Sequence, residues 1–237
     1  MTKINFRGEG MKTVGIIGGM GPMATVDLFK KIIDFTDAHS DRDHLHVITD
    51  SYCEIPDRTA YILGMGESPL SYILESAGKL KKIGADFLVM PCNTAHYFYR
   101  DITREIDIPV INMVEETAKS LVGCETVGLL ATKGTYEGRV YDSIFEEFHM
   151  EIISPSDEIK DDINKLIYEY KGGSLPGRDR VKKVVEYFQK RGIKKIILGC
   201  TELPLIFNGY QCPIELIDPT EILSKAAIRY AGKNIVV

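Results

Sequence analysis

Lys12-Thr13-Val14-Gly15-Ile16-Ile17-Gly18-Gly19, near the start of the 237-residue chain, reads as a short strand that runs into a tight glycine turn. Its apolar residues are continuous rather than alternating, which suits a parallel strand covered on both faces. The same phrase returns as Glu125-Thr126-Val127-Gly128-Leu129-Leu130-Ala131-Thr132, 113 residues later. Two further pairs follow in the same order. Asp86-Phe87-Leu88-Val89-Met90-Pro91-Cys92-Asn93-Thr94 returns as Lys194-Lys195-Ile196-Ile197-Leu198-Gly199-Cys200-Thr201-Glu202, at an offset of 108. Ile108-Pro109-Val110-Ile111-Asn112 returns as Cys212-Pro213-Ile214-Glu215-Leu216, at an offset of 104. Three matches in register predict a duplicated unit.

The rest of the chain fits this frame. Further strands are predicted at Leu45–Asp50, Asp86–Met90, Pro109–Ile111, Thr126–Leu130, Glu151–Ser154, Lys195–Leu198 and Ile214–Ile217. Amphipathic segments lie between them, at Ala24–Ala38, Pro69–Ile83, His96–Glu105, Glu115–Val122, Gly138–Phe148, Glu158–Lys171, Gly177–Arg191 and Thr220–Ala231. Strands alternating with helices give an α/β fold with parallel sheets. The expectation is two pseudo-symmetric, Rossmann-like α/β domains with the active site in the cleft between them. The first spans residues 11–114 and the second 115–217. The final segment, 218–237, packs back on the first, and residues 1–10 form a flexible extension.

Composition narrows the function classes. Lys and Arg number 29 against 34 Asp and Glu, a net charge of −5, and no basic block stands out. That argues against a nucleic-acid surface. No apolar run approaches the ~18 residues of a membrane span, and Met1–Gly10 has no apolar core, so a signal peptide is not expected. Five cysteines, an odd number, point to a reducing, cytoplasmic setting. No Cys-x-x-Cys spacing suggests a metal site or redox pair, so no metal is expected.

Cys92 and Cys200 are the two cysteines that the repeat places symmetrically, each after a buried strand. In an open α/β sheet ligands bind beyond the carboxyl ends of the strands. Two such halves facing each other put Cys92 and Cys200 on opposite sides of one cleft. Each is expected near a helix N-terminus, which favours thiolate. Two thiol groups flanking a stereocentre suit racemisation, in which one removes a proton and the other returns one to the opposite face. Cys53, Cys124 and Cys212 read as ordinary buried small residues.

Other positions cluster around this pair. Gly18-Gly19-Met20-Gly21-Pro22 forms a turn whose backbone N–H groups can approach an anion, although it matches neither nucleotide-binding glycine pattern. Arg58, in Ile55-Pro56-Asp57-Arg58-Thr59-Ala60-Tyr61, can clamp a carboxylate with its fork. Asn93, Thr94 and Thr201 offer donors for an α-carboxylate and serve equally well as helix caps. His96 can assist Cys92 or simply pack. Lys171, in a glycine-rich connection, can reach the cleft or remain an ordinary surface lysine.

Taken together, Gly18-Gly19-Met20-Gly21-Pro22, Ile55-Pro56-Asp57-Arg58-Thr59-Ala60-Tyr61, Met90-Pro91-Cys92-Asn93-Thr94-Ala95-His96 and Gly199-Cys200-Thr201-Glu202 resemble the aspartate/glutamate racemase family, from about Met11 to the C-terminus. The glycine turn and the Pro-Asp-Arg stretch are more similar to aspartate racemases than to cell-wall glutamate racemases. The resemblance implies a cofactor-independent enzyme, an L/D acidic amino acid as substrate, and a homodimer. It implies Cys92 and Cys200 as the acid/base pair. Met20, Asn93, Thr94 and Thr201 would line the amino-acid backbone pocket, with Arg58 and Lys171 on the side-chain carboxylate. Alternatives are a racemase or isomerase of another small acid or hydantoin, and a non-catalytic amino-acid binder. Decarboxylases of this fold need one cysteine, so the second counts against them.

Overall fold

The computed structural model describes residues 11–174 and 178–236. The expected extension 1–10 and residues 175–177 of the glycine-rich connection lie outside them. The first half carries β1 (Val14–Gly18), α1 (Pro22–Phe35), β2 (Val47–Ser51), α2 (Arg58–Ile62), α3 (Leu70–Lys82), β3 (Phe87–Val89), α4 (Tyr99–Glu105) and α5 (Met113–Ser120). The second carries β4 (Thr126–Ala131), α6 (Lys133–Glu137), α7 (Asp142–Glu147), β5 (Glu151–Ile153), α8 (Asp157–Lys171), α9 (Arg178–Gln189), β6 (Lys195–Gly199), α10 (Leu203–Ile206), β7 (Glu215–Ile217) and α11 (Pro219–Tyr230).

Two parallel sheets result, ordered β2-β1-β3 and β5-β4-β6-β7. The sequence echo is also an echo of register. Val14 pairs with Val47 as Val127 pairs with Ile152, and Gly15 pairs with Leu88 as Gly128 pairs with Ile196. Both faces of each sheet are covered, which is why the strands read as unbroken apolar runs. In the first sheet Ile17, Leu88 and Met90 enter one core cluster, while Val14, Ile16, Phe87 and Val89 enter another on the opposite face. In the second, Leu130, Ile196 and Leu198 face one way and Val127, Leu129 and Ile197 the other.

Three expected elements differ. Pro109–Ile111 is not a strand but a single parallel bridge, Leu88 to Val110. That bridge sits where the second half pairs β6 with β7, but two residues out of register: the echo matches Val110 to Ile214, whereas Ile196 pairs with Leu216. Of the helix expected over Gly138–Phe148, only α7 (Asp142–Glu147) forms; α6 precedes the segment, and Arg139 between them, at a φ of 48°, interrupts helical geometry. The one expected from His96 begins earlier, as a 3₁₀ turn over Thr94–Phe98 that leads into α4.

The last helix returns to the first sheet. Leu223, Ala227, Ile228 and Ala231 share a core cluster with Val14, Ile16, Leu28 and Ile32. Asp218 caps α11, accepting from the N–H groups of Thr220 and Glu221 at 2.8 and 3.3 Å. Its other oxygen accepts from Lys31 of α1 at 2.6 Å. No helix among the described residues is long and apolar enough to cross a membrane.

Candidate active site

Parallel strands deliver their carboxyl ends to one edge of a sheet, and the candidate residues stand there. Met20 follows β1, Cys92, Asn93 and Thr94 follow β3, Thr132 follows β4, and Cys200, Thr201 and Glu202 follow β6. All eight residues singled out from the sequence line a single cavity: Met20, Arg58, Cys92, Asn93, Thr94, Lys171, Cys200 and Thr201. Asp57, Thr59, Thr132, Tyr168 and Glu202 complete its lining. The cavity is small, about 10 Å³, the space of roughly one water.

The walls are tied across the two halves. Thr94 Oγ1 lies 3.0 Å from Thr132 Oγ1 and 2.9 Å from Thr135 Oγ1, a buried hydroxyl cluster. Gly134 of α6 packs against Thr59 so closely that a Cβ would come within 2.7 Å of the Thr59 backbone. Tyr168 of α8 donates to Asp57 Oδ2 at 2.9 Å, while Asp57 Oδ1 caps α2 through the Ala60 N–H. The glycine turn is also anchored. Gly19, at φ 89°, lies against the Tyr52 backbone, where a side chain has no room. Its N–H donates to Thr25 Oγ1 at 2.9 Å, so that donor is taken before any anion arrives.

The two cysteines have different neighbours. Cys200 Sγ donates to Glu202 Oε2 at 3.0 Å. Burial pushes its thiol well above the ordinary range and the Glu202 carboxylate adds to the rise, against an opposing pull from Lys171. The thiolate-favouring effect expected of a helix terminus is therefore outweighed here. The Cys92 segment is held by its backbone. Its carbonyl lies 2.8 Å from His96 Nδ1, and His96 Nε2 lies 3.1 Å from the Met113 nitrogen. A carbonyl only accepts and an N–H only donates, so Nδ1 carries the proton and Nε2 accepts. Burial drives His96 down to about 4, which keeps it neutral. His96 is thus a latch between Cys92 and the start of α5.

Asn93 offers the clearest ligand-directed group. Tyr141 donates to Asn93 Oδ1, and burial raises the Tyr141 phenol, which keeps it protonated as the donor. The Asn93 Nδ2 donors are buried without a partner. Arg58 is used differently from the expected fork. Nη1 donates to the Ile55 and Pro56 carbonyls at 3.2 and 3.0 Å, and Nη2 to the Met20 carbonyl at 3.2 Å. Nε is buried without a partner, and with three of the five guanidinium N–H groups engaged, two remain for a ligand. Lys171 Nζ stands 3.7 Å from Glu202 Oε1, with its side chain 25% exposed. Burial pulls its ammonium down, but Cys200, Glu202 and Cys92 together more than offset this and raise it.

Among the remaining cysteines, Cys53 is exposed rather than buried as expected, because the residues after β2 run along the surface; Cys124 and Cys212 are half-buried. No group of three or more His, Cys, Asp or Glu side chains among the described residues is placed to hold a metal. Glu202 could have been found as a departure from symmetry, since the echo puts it where the first half has Thr94. Tyr168 and Thr132 gave no comparable signal.

Comparison with known proteins places this arrangement. The family described as Asp/Glu/Hydantoin racemase matches residues 17–227. The structure of Picrophilus torridus aspartate racemase superposes with a TM-score of 0.82 and 32% identity, over 95% of this chain and 96% of that one. An aspartate racemase homologue from Pyrococcus horikoshii OT3 gives a TM-score of 0.76 and 29% identity, over 94% of this chain and all of that one. The broad specificity amino-acid racemase RacX of Bacillus subtilis (strain 168) is 28% identical over 221 residues, covering 91% of this chain and 96% of its own length.

Proposed function

The chain belongs to the Asp/Glu/hydantoin racemase family, a family of isomerases, and from that premise we propose that it interconverts L- and D-aspartate, and secondarily glutamate, using Cys92 and Cys200 as paired acid and base without a cofactor. The observation that carries this reading is that both thiols line one cavity beside the unpartnered Asn93 amide. The substrate's α-carbon lies between the two sulfurs. In the direction that starts from the resting Cys200 thiol, Cys92 takes the α-proton from one face. Cys200 then donates its own proton to the other, and the product is the mirror image. The reverse reaction exchanges the roles, so the pair titrates as a unit.

The negative charge that develops spreads into the α-carboxylate, where Asn93 Nδ2, backbone N–H groups and the hydroxyls of Thr94 and Thr201 receive it. Met20 closes the apolar side. The distal carboxylate meets Arg58 Nε and Lys171. Two lobes, 11–114 with 218–237 and 115–217, supply one cysteine each. A cytoplasmic homodimer fits this reading. An exposed apolar stripe on α1, with Val26, Phe29 and Ile33 at 57%, 42% and 43% exposure, supports the dimer.

A circular-dichroism time course tests the function. Each enantiomer of aspartate, incubated with enzyme and no added cofactor, should decay to a racemic mixture, with glutamate slower. A signal that stays constant for both amino acids would overturn the assignment.

A further inference from the structure

Tyr141 is one of the largest fully buried side chains of the molecule and stands just before α7 in the second half. Its ring lies 5.4 Å from that of Phe145, in the cluster that Val127, Leu129 and Ile197 build on one face of the second sheet. A phenylalanine would fill that place with carbon alone. Tyrosine adds a hydroxyl that burial cuts off from water, and such a group needs a partner. The partner belongs to the other half of the molecule: the phenol donates to Asn93 Oδ1, in the turn after β3.

That bond decides which end of an amide faces the cavity. A carboxamide carries two donors on its nitrogen and only acceptor sites on its oxygen. With Oδ1 taken by the phenol proton, Nδ2 is left buried without a partner, on a residue that lines the cavity with both cysteines. Turned the other way, the amide would set Oδ1 against a bound carboxylate, and two acceptors would meet with no proton between them. Burial raises the phenol, so its proton stays in place to hold the amide. The next residue is gripped from the same side. Thr94 Oγ1 meets the hydroxyls of Thr132 and Thr135, so Asn93-Thr94 of the first half is seated by three side chains of the second.

We propose that Tyr141 is a positioning residue for racemisation, holding the Asn93 amide with its Nδ2 donors toward the substrate's α-carboxylate. The inference rests on the racemase reading and adds to it a residue that does not itself touch substrate. Its contribution grows along the reaction. The carboxylate gains negative charge as the α-proton leaves, and a donor already aimed at it needs no reorganisation at that moment. Most of the effect therefore falls on kcat rather than KM.

Racemisation of aspartate by wild type, Tyr141→Phe, Asn93→Ala and the double variant tests it. Phe145→Leu serves as a control that loosens the packing of the ring and leaves the hydroxyl. Tyr141→Phe keeps the core filled and should retain the far-UV circular dichroism of the wild type. It should lower kcat by about tenfold to a hundredfold, the cost of a donor that is misaimed rather than lost. In the Asn93→Ala background the same substitution should change kcat by less than about twofold, because the amide it orients is gone. Phe145→Leu should stay within about twofold of wild type, since it touches neither the hydroxyl nor the amide. A Tyr141→Phe enzyme as fast as wild type would overturn the inference and leave the racemase reading standing. So would an equal loss in the Asn93→Ala background, or a loss matched by Phe145→Leu. Absence of racemisation by the wild-type enzyme would bring down the racemase reading and the inference with it.

Discussion

Cys92 and Cys200 hold equivalent places in the repeat, yet the residues that follow them differ. Two positions after Cys92 stands Thr94, bonded to hydroxyls of the other half. Two positions after Cys200 stands Glu202, bonded to the thiol itself. That carboxylate helps burial hold Cys200 protonated. Glu202→Gln should therefore lower the Cys200 pKa, read as thiolate absorbance against pH in a Cys92→Ala background; an unchanged or higher midpoint would contradict the assignment. His96 makes a separate prediction. The unfolded chain binds a proton at this residue near pH 6.5, and the folded chain refuses it until about 4. The stability this provides is complete above pH 6.5, declines as pH falls, and is gone below about 4. Between about pH 7 and pH 5 the wild type should lose about 2 kcal/mol more than His96→Gln in urea unfolding. Parallel losses would show that His96 is not held neutral.

At the scale of elements, the joint between α1 and α11 stands out. Lys31 is bonded to Asp27 at 2.5 Å and to Asp218 at 2.6 Å, and Asp218 also caps α11. Burial lowers the Lys31 ammonium, but its bonds and charge contacts with Asp218 and Asp27 carry it upward overall. Asp218→Ala removes a cap and leaves a half-buried cation with one partner fewer. A loss of about 2–4 kcal/mol is expected, measured by chemical denaturation; a loss under about 0.5 kcal/mol would show the joint to be incidental. The strands were readable because two-sided burial makes apolar runs that periodicity detects. Pro109–Ile111 misled because the same apolar signal suits a strand and a single bridge. The split of α6 from α7 depends on the left-handed Arg139, and arginine carries no signal for that conformation.

Across the whole molecule, duplication made the site legible. The repeat singled out Cys92 and Cys200, and the residues next to them in sequence came with them. Arg58 was visible as a residue, but its partners were not, because they are backbone carbonyls of Met20, Ile55 and Pro56. Tyr168 and Thr132 were hidden for a different reason. They reach the cavity only once α8 and the β4 turn are packed against α2 and the Cys92 loop, a contact between halves that no local pattern encodes. The same packing makes the central claim a claim about symmetry: one thiol from each half, acting on opposite faces of one carbon. The most direct test is interconversion of D- and L-aspartate in heavy water by wild type, Cys92→Ser and Cys200→Ser. Wild type should racemise with deuterium entering the α-position of both enantiomers, and each single variant should lose interconversion. Racemisation at the wild-type rate by either variant would contradict the account.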